Sequence, residues 1–150
     1  MIKKFIDFIN EAQNGMLSDS DLVSVSSDSS SNFKLNPEAA KAYEEMNSAA
    51  EKDGIHWTIT DSYRDYDSQV QVAATKGLYK NGGLAAEPGT SNHGWGSAVD
   101  LKLDDSAQKW LQQNASKYGF SNIPKEPWHW EHKASIESVK GLTGKSETSG

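Results

Sequence analysis

Not one of the 150 residues is a cysteine, and this absence sets most of the limits on what the chain can become. A fold of this length must be held by its own apolar core, with no disulfide to staple it. Thiolate metal sites and cysteine nucleophiles are excluded by the same fact, so any metal must be held by His, Asp or Glu. A hydrophobic fraction of 35% with 12 glycines suffices for one domain and leaves some polar chain outside the core. The net charge of −6 argues against an electrostatic grip on nucleic acid or on an anionic membrane. No apolar run approaches the roughly 18 residues that a membrane span needs.

The first residues carry apolar side chains at Ile2, Phe5, Ile6, Phe8 and Ile9, the spacing of an amphipathic helix, with Gly15 as its stop. Lys3 and Lys4 imitate the start of a secretory signal, but Asp7 and Asn10 interrupt the apolar stretch and no small-x-small cleavage site follows. The expectation is a helix over 1–16 that docks on the domain or, through residues 1–15, on a protein partner. Residues 18–32 are rich in Ser and Asp, a solvated linker in which Leu22–Val25 could form a short edge strand.

Asn36-Pro37 reads as an N-cap followed by proline at the first helical position, opening a helix that ends near Asp53-Gly54. Ile55–Thr60 alternates like a strand. Tyr66 to Lys76 is predicted helical, 81–89 a loop and 97–103 a strand. Asp105 to Tyr118 is a helix with Asp104 or Asp105 as its cap, stopped by Gly119, and 128–132 is a last strand. Residues 135–150, rich in Ser, Gly, Thr and Lys from 138 onward, read as a flexible tail. Helices alternating with short strands around one loop-rich centre indicate an α+β fold.

Two segments concentrate chemistry, Pro88–Asp100 and Glu126-Pro-Trp-His-Trp-Glu-His132, and together they hold three of the four histidines. A hydrolytic zinc ion takes three protein N or O ligands and keeps a fourth position for water. His93, Asp100 and His129 could supply them. Gly94 and Gly96 would let the chain turn after His93 and return along a strand at Asp100, while His129 arrives from another strand. Such an ion lowers the pKa of its water to about 7. Glu126, three residues before His129, is the candidate general base if Pro127 breaks the strand and lets it turn inward. Arg64, the one arginine in the chain, is the candidate partner for a developing oxyanion.

Plainer roles stand beside these. His56 and His132 suit hydrogen-bonded core histidines, and Glu131 suits a solvated or salt-bridged carboxylate. Arg64 could simply pair with a nearby aspartate, and the loop at 94–96 could be only a turn. On spacing alone, a metal site and a pair of ordinary histidines both stand.

Ser91-x-His93-x-x-Gly96-x-Ala98-x-Asp100 resembles the S-x-H-x-x-G-x-A-x-D signature of the LAS zinc peptidases. That group includes VanY-like D-alanyl-D-alanine carboxypeptidases and phage L-alanyl-D-glutamate endopeptidases. Glu126-Pro-Trp-His129 is similar to their E-x-W-H segment. Ser62-Tyr-Arg64 with Gln69 resembles their S-x-Y-R…Q segment, shifted here to S-Y-R. The likeness covers roughly residues 17–134.

The resemblance implies a hedgehog/D,D-peptidase-like α+β domain over 17–134, a small antiparallel sheet flanked by helices. It implies one Zn2+ per chain on His93, Asp100 and His129, with Glu126 as general base and acid and Arg64 as substrate and transition-state clamp. Ser91 and Gln69 would face the substrate. The implied substrate is a peptidoglycan stem peptide, with D-alanyl-D-alanine carboxypeptidase favoured over L-alanyl-D-glutamate endopeptidase. A non-catalytic zinc-containing virion or binding module is the alternative outside enzymes. The chain is expected to act as a monomer. Without a cleavable leader it is expected to be made in the cytoplasm and to reach the cell wall in phage lysis or on a virion.

Overall fold

The computed structural model describes residues 12–27 and 32–140. Of the amphipathic helix expected over 1–16, residues 1–11 lie outside the described residues, and residues 12–16 are not helical but turn at Asn14 and Gly15. The first strands form a small hairpin, β1 (Val23–Ser24) against β2 (Lys34–Leu35), so the short strand expected inside the Ser/Asp stretch is present.

Helix α1 (Pro37–Lys52) begins where the sequence places it. The Asn36 side chain accepts the Ala39 N–H, and Pro37 needs no partner at the first helical position. Its buried positions Ala39, Ala40, Tyr43, Met46 and Ala50 form one helical stripe. Strand β3 (Thr58–Asp61) starts three residues later than expected. Ile55 N–H still bonds Ala50 C=O and closes the helix end, so strand pairing begins only at Thr58. His56, expected in the core, is consequently exposed.

Helix α2 (Tyr66–Lys76) and strand β4 (Ala98–Lys102) follow. Helix α3 (Asp105–Asn114) continues as a 3-10 turn over Ala115–Tyr118 to the stop at Gly119. Strand β5 (Ser121–Ile123) has no alternating apolar pattern and is not predicted from the sequence, whereas β6 (Glu126–Glu131) is.

Strands β3, β4, β6 and β5 form, in that order, one antiparallel sheet. Val99, Leu101 and Trp130 face the helices, where they meet Tyr43, Met46, Leu111 and Phe120 in the core. Each such side chain contributes on the order of 1.5–3 kcal/mol by leaving water. The other face carries the polar row. Asp61 pairs with Asp100, and Asp100 with His129, across three neighbouring strands.

The flexible tail expected over 135–150 needs correction over 135–140, while residues 141–150 lie outside the described residues. Residues 134–140 are helical, and Ser135 and Val139 are fully buried. Ser135 Oγ lies 2.7 Å from Ser97 Oγ and 3.0 Å from Asn36 Nδ2. This stretch is therefore tied to the α1 cap and to the turn before β4, which a Ser-rich composition does not reveal.

Candidate metal centre

The register of the sheet brings Asp100 beside His129, and a turn brings His93 to them. Ser91 caps a 3-10 turn over Asn92–Trp95, its hydroxyl accepting the His93 N–H. The turn ends at Gly96, whose φ of +67° suits glycine and whose missing Cβ leaves room for the Asn36 backbone. The chain then enters β4 and delivers Asp100.

One Asp100 oxygen, Oδ1, lies 3.1 Å from His93 Nε2 and 3.2 Å from His129 Nδ1. The three candidate ligand atoms lie within 4.8 Å of one another, and all three residues are buried. Protons can be assigned from the far side of each ring. His93 Nδ1 faces the Ser62 carbonyl at 2.8 Å, and a carbonyl only accepts, so Nδ1 carries the hydrogen. His129 Nε2 faces Glu131 Oε1 at 2.7 Å and donates to it. His93 Nε2 and His129 Nδ1 thus turn lone pairs toward a carboxylate oxygen. Three such acceptors in one buried spot call for a cation between them, which fits a metal with N and O ligands.

The electrostatics agree. Burial alone would raise the Asp100 pKa, but its contacts with the His129 and His93 imidazoles hold it well below the usual carboxylate range. Burial alone would lower that of His129, yet its bonds to Asp100 and Glu131 lift it to about 9. Without a metal, a second proton on His129 takes the cation's place.

Glu126 is buried and lines the same cavity as Arg64, Ser91 and the three ligands. It reaches that face by a bulge. Asn122 pairs with Trp130 but Ile123 with Glu126, so the β6 backbone bows away from β5 over Pro127, Trp128 and His129. Asn122 Nδ2 bridges the bow, donating to Glu126 C=O at 2.9 Å and His129 C=O at 2.7 Å. The break expected at Pro127 is present, and Asn122 holds it. Tyr79 donates its hydroxyl to the Glu126 carboxylate. Burial and then Glu126 push the tyrosine pKa up. Neither Asn122 nor Tyr79 is signalled by a sequence motif.

Arg64 does pair with an aspartate. Its Nε and Nη2 donate to Asp61 Oδ2 at 3.0 and 2.5 Å, and Nη1 donates to Gln69 Oε1 at 2.6 Å. It nonetheless borders the cavity, with Nη2 3.8 Å from Asp100 Oδ2. Three of its five N–H donors are engaged, which leaves two for a guest. Gln69 is buried, and its Nε2 donates to Ala86 C=O at 2.9 Å, so both ends of its amide are spent inside the protein. Of the two roles expected for Glu131 the salt-bridged one holds, since the carboxylate is buried against His129 rather than solvated, and His132 packs edge-on against Phe120 at 5.3 Å, outside the cluster.

Two residues from the N-terminal side of the expected boundary at 17 reach this centre. Asn14 Nδ2 donates to Ser91 C=O at 2.6 Å, and Gly15 N–H to Gly94 C=O at 2.8 Å.

The family model for VanY, D-alanyl-D-alanine carboxypeptidase, matches residues 32–135. A D-alanyl-D-alanine carboxypeptidase of Enterococcus faecium is 32% identical over an alignment covering 66% of this chain and 37% of the relative. The chain spans less than half the length of the curated relatives it matches. Among solved structures, the LdcB LD-carboxypeptidase superposes with a TM-score of 0.63 at 29% identity, covering 85% of this chain and 76% of that one. VanYB in complex with D-alanine-D-alanine shares the fold, with a TM-score of 0.60 at 23% identity over 83% of this chain and 85% of that one.

Proposed function

We propose that this chain, which belongs to the VanY family of D-alanyl-D-alanine carboxypeptidases, is a zinc peptidase that removes the C-terminal D-alanine from peptidoglycan stem peptides. The observation that carries the reading is the convergence of His93, Asp100 and His129 beside a buried carboxylate, Glu126, that lines the same cavity but stands outside the group of three. A purely structural zinc site has no use for such a neighbour.

His93, Asp100 and His129 would hold zinc, which would polarise a scissile carbonyl and acidify a water near neutral pH. Glu126 is placed to take a proton from the attacking water and to return it to the leaving amine. Arg64, fixed by Asp61 and Gln69, turns its free N–H groups to the charge that develops on the carbonyl oxygen. Ser91 borders the same cavity and offers its hydroxyl to the substrate. Gln69 acts through Arg64 rather than on the substrate.

The likeness to LdcB favours a second reading, in which the bond cut joins an L-centre to the terminal D-alanine. Both carboxypeptidase readings require a free C-terminus, whereas the endopeptidase activity of phage lysis enzymes does not. Purified muropeptides ending in D-Ala-D-Ala, in a single D-Ala, or in a blocked terminus separate the three, with products identified by mass. Loss of one alanine from the first substrate is the expected result. Cleavage of the blocked peptide inside the stem would establish the endopeptidase.

A further inference from the structure

The sheet carries a second carboxylate that reaches the metal cluster from behind. Glu131 lies two residues beyond His129 on β6, and residues i and i+2 of a strand share a face. Its Oε1 accepts from His129 Nε2 at 2.7 Å. Its Oε2 accepts from Asn92 Nδ2 at 2.9 Å. Asn92 sits in the 3-10 turn next to His93, so the Glu131 carboxylate joins the element carrying one histidine to the strand carrying the other. Lys133 approaches Oε2 at 3.7 Å from the exposed side.

We propose that Glu131, braced by Asn92, is the positioning residue of the metal centre: it fixes the His129 tautomer and holds the spacing between the His129 strand and the His93 turn. This rests on the zinc reading above and extends it to residues that touch neither metal nor substrate. With Oε1 accepting from Nε2–H, the only lone pair left on the ring is at Nδ1, which faces Asp100 Oδ1. Glu126 lines the cavity with Arg64 and the three ligands whereas Glu131 does not, which sets Glu131 apart from the base. The brace also compensates for an asymmetry. His93 is steadied by a backbone carbonyl, which no substitution of a side chain can remove, whereas His129 depends on a side chain. Carboxylate partners of this kind raise the basicity of a ligating imidazole, and losing one costs roughly 10–100-fold in metal affinity.

The test is zinc affinity of the full chain, measured by competition with a chromophoric chelator, for wild type, Glu131→Ala, Glu131→Gln and Asn92→Ala. Glu131→Ala should bind zinc about 10–100-fold more weakly. Glu131→Gln keeps an acceptor for Nε2–H but not the charge, and should fall between it and wild type. Asn92→Ala should weaken binding in the same direction by less. Nitrogen-15 spectra of the zinc-loaded protein give an independent readout: the His129 proton should sit on Nε2 and exchange slowly in wild type, and exchange fast in Glu131→Ala. Wild-type affinity and unchanged His129 exchange in a folded Glu131→Gln or Glu131→Ala protein would overturn the proposal while leaving the zinc reading intact. Failure of the wild type to bind zinc would instead overturn the reading on which both rest.

Discussion

Arg64 Nη1 donates to Gln69 Oε1 at 2.6 Å, and Gln69 is anchored in turn to the Ala86 carbonyl. Two polar residues five apart, one at the end of a loop and one in the first turns of α2, thus form a single unit with Asp61. A guanidinium held from two sides loses little freedom when a substrate arrives, which is the value of preorganised donors.

Gln69→Ala should therefore act on catalysis through Arg64. A hydrogen bond to a charged group contributes about 1.5–3 kcal/mol, so kcat/KM should fall roughly 10–100-fold. Arg64→Lys should not restore a lost clamp, because an ammonium cannot contact Asp61, Gln69 and a substrate oxygen in one plane. Steady-state kinetics on a muropeptide with a free C-terminus check both.

Glu126→Gln separates base from ligand. The amide keeps the shape of the side chain and its contact with Tyr79 but cannot take a proton. Zinc content by metal analysis should stay at one per chain, and turnover should fall by about 10²–10⁴-fold. Loss of zinc with activity would make Glu126 a ligand and require a different ligand set.

Much of this centre is legible in the sequence because its residues sit at motif spacings that the backbone must honour. His93 and Asp100 are separated by one glycine-ended turn, and Glu126 and His129 by one proline-bearing bulge. The start of α1 is legible for a similar reason, since Asn36-Pro37 is a local cap. What is not legible acts across the chain. Asn122 works by donating to two carbonyls of another strand, Glu131 by a carboxylate whose partner depends on register, and Tyr79 by a hydroxyl that meets a carboxylate 47 residues away. Residues 134–140 mislead because two buried side chains, Ser135 and Val139, decide their state against a polar composition.

Asn122→Ala should loosen the bulge that turns Glu126 and His129 to one face. Two backbone carbonyls lose a shared donor, so stability should drop by about 1–3 kcal/mol and turnover should fall with it. Asn122→Asp should be worse than alanine, since a carboxylate would face the same two carbonyls with no proton to give. Thermal melts of the zinc-loaded variants, together with turnover, read this ordering.

Truncation distinguishes the segment outside the described residues from the strap beside the site. Removing residues 1–11 should leave peptidase activity on soluble peptides largely intact. Removing residues 1–17 deletes the Asn14 and Gly15 bonds to Ser91 and Gly94 and the Leu17 N–H bond to Tyr63. The turn that delivers His93 should then be less well held, with weaker zinc binding and lower kcat. Equal activity of the two truncations would show that the strap contributes nothing to the site.

The metal-free protein should respond to pH through His129. Its folded pKa is lifted to about 9 by Asp100 and Glu131 despite burial, above the ordinary value of about 6.5 for an unfolded histidine. A raised folded pKa means that the native state binds the proton more tightly than the unfolded state does. The resulting stabilisation is complete below about pH 6.5 and is lost as pH rises through about 9. Urea melts of the zinc-free chain should therefore show a midpoint that declines across this window, a decline that His129→Gln abolishes. Zinc loading should flatten it as well, because the metal replaces the second proton on the imidazole. Between the same two pH values, zinc uptake should release a proton that calorimetry in buffers of different ionisation enthalpy can count. A flat midpoint in the zinc-free wild type would mean that Asp100 and Glu131 do not hold His129 in its charged form.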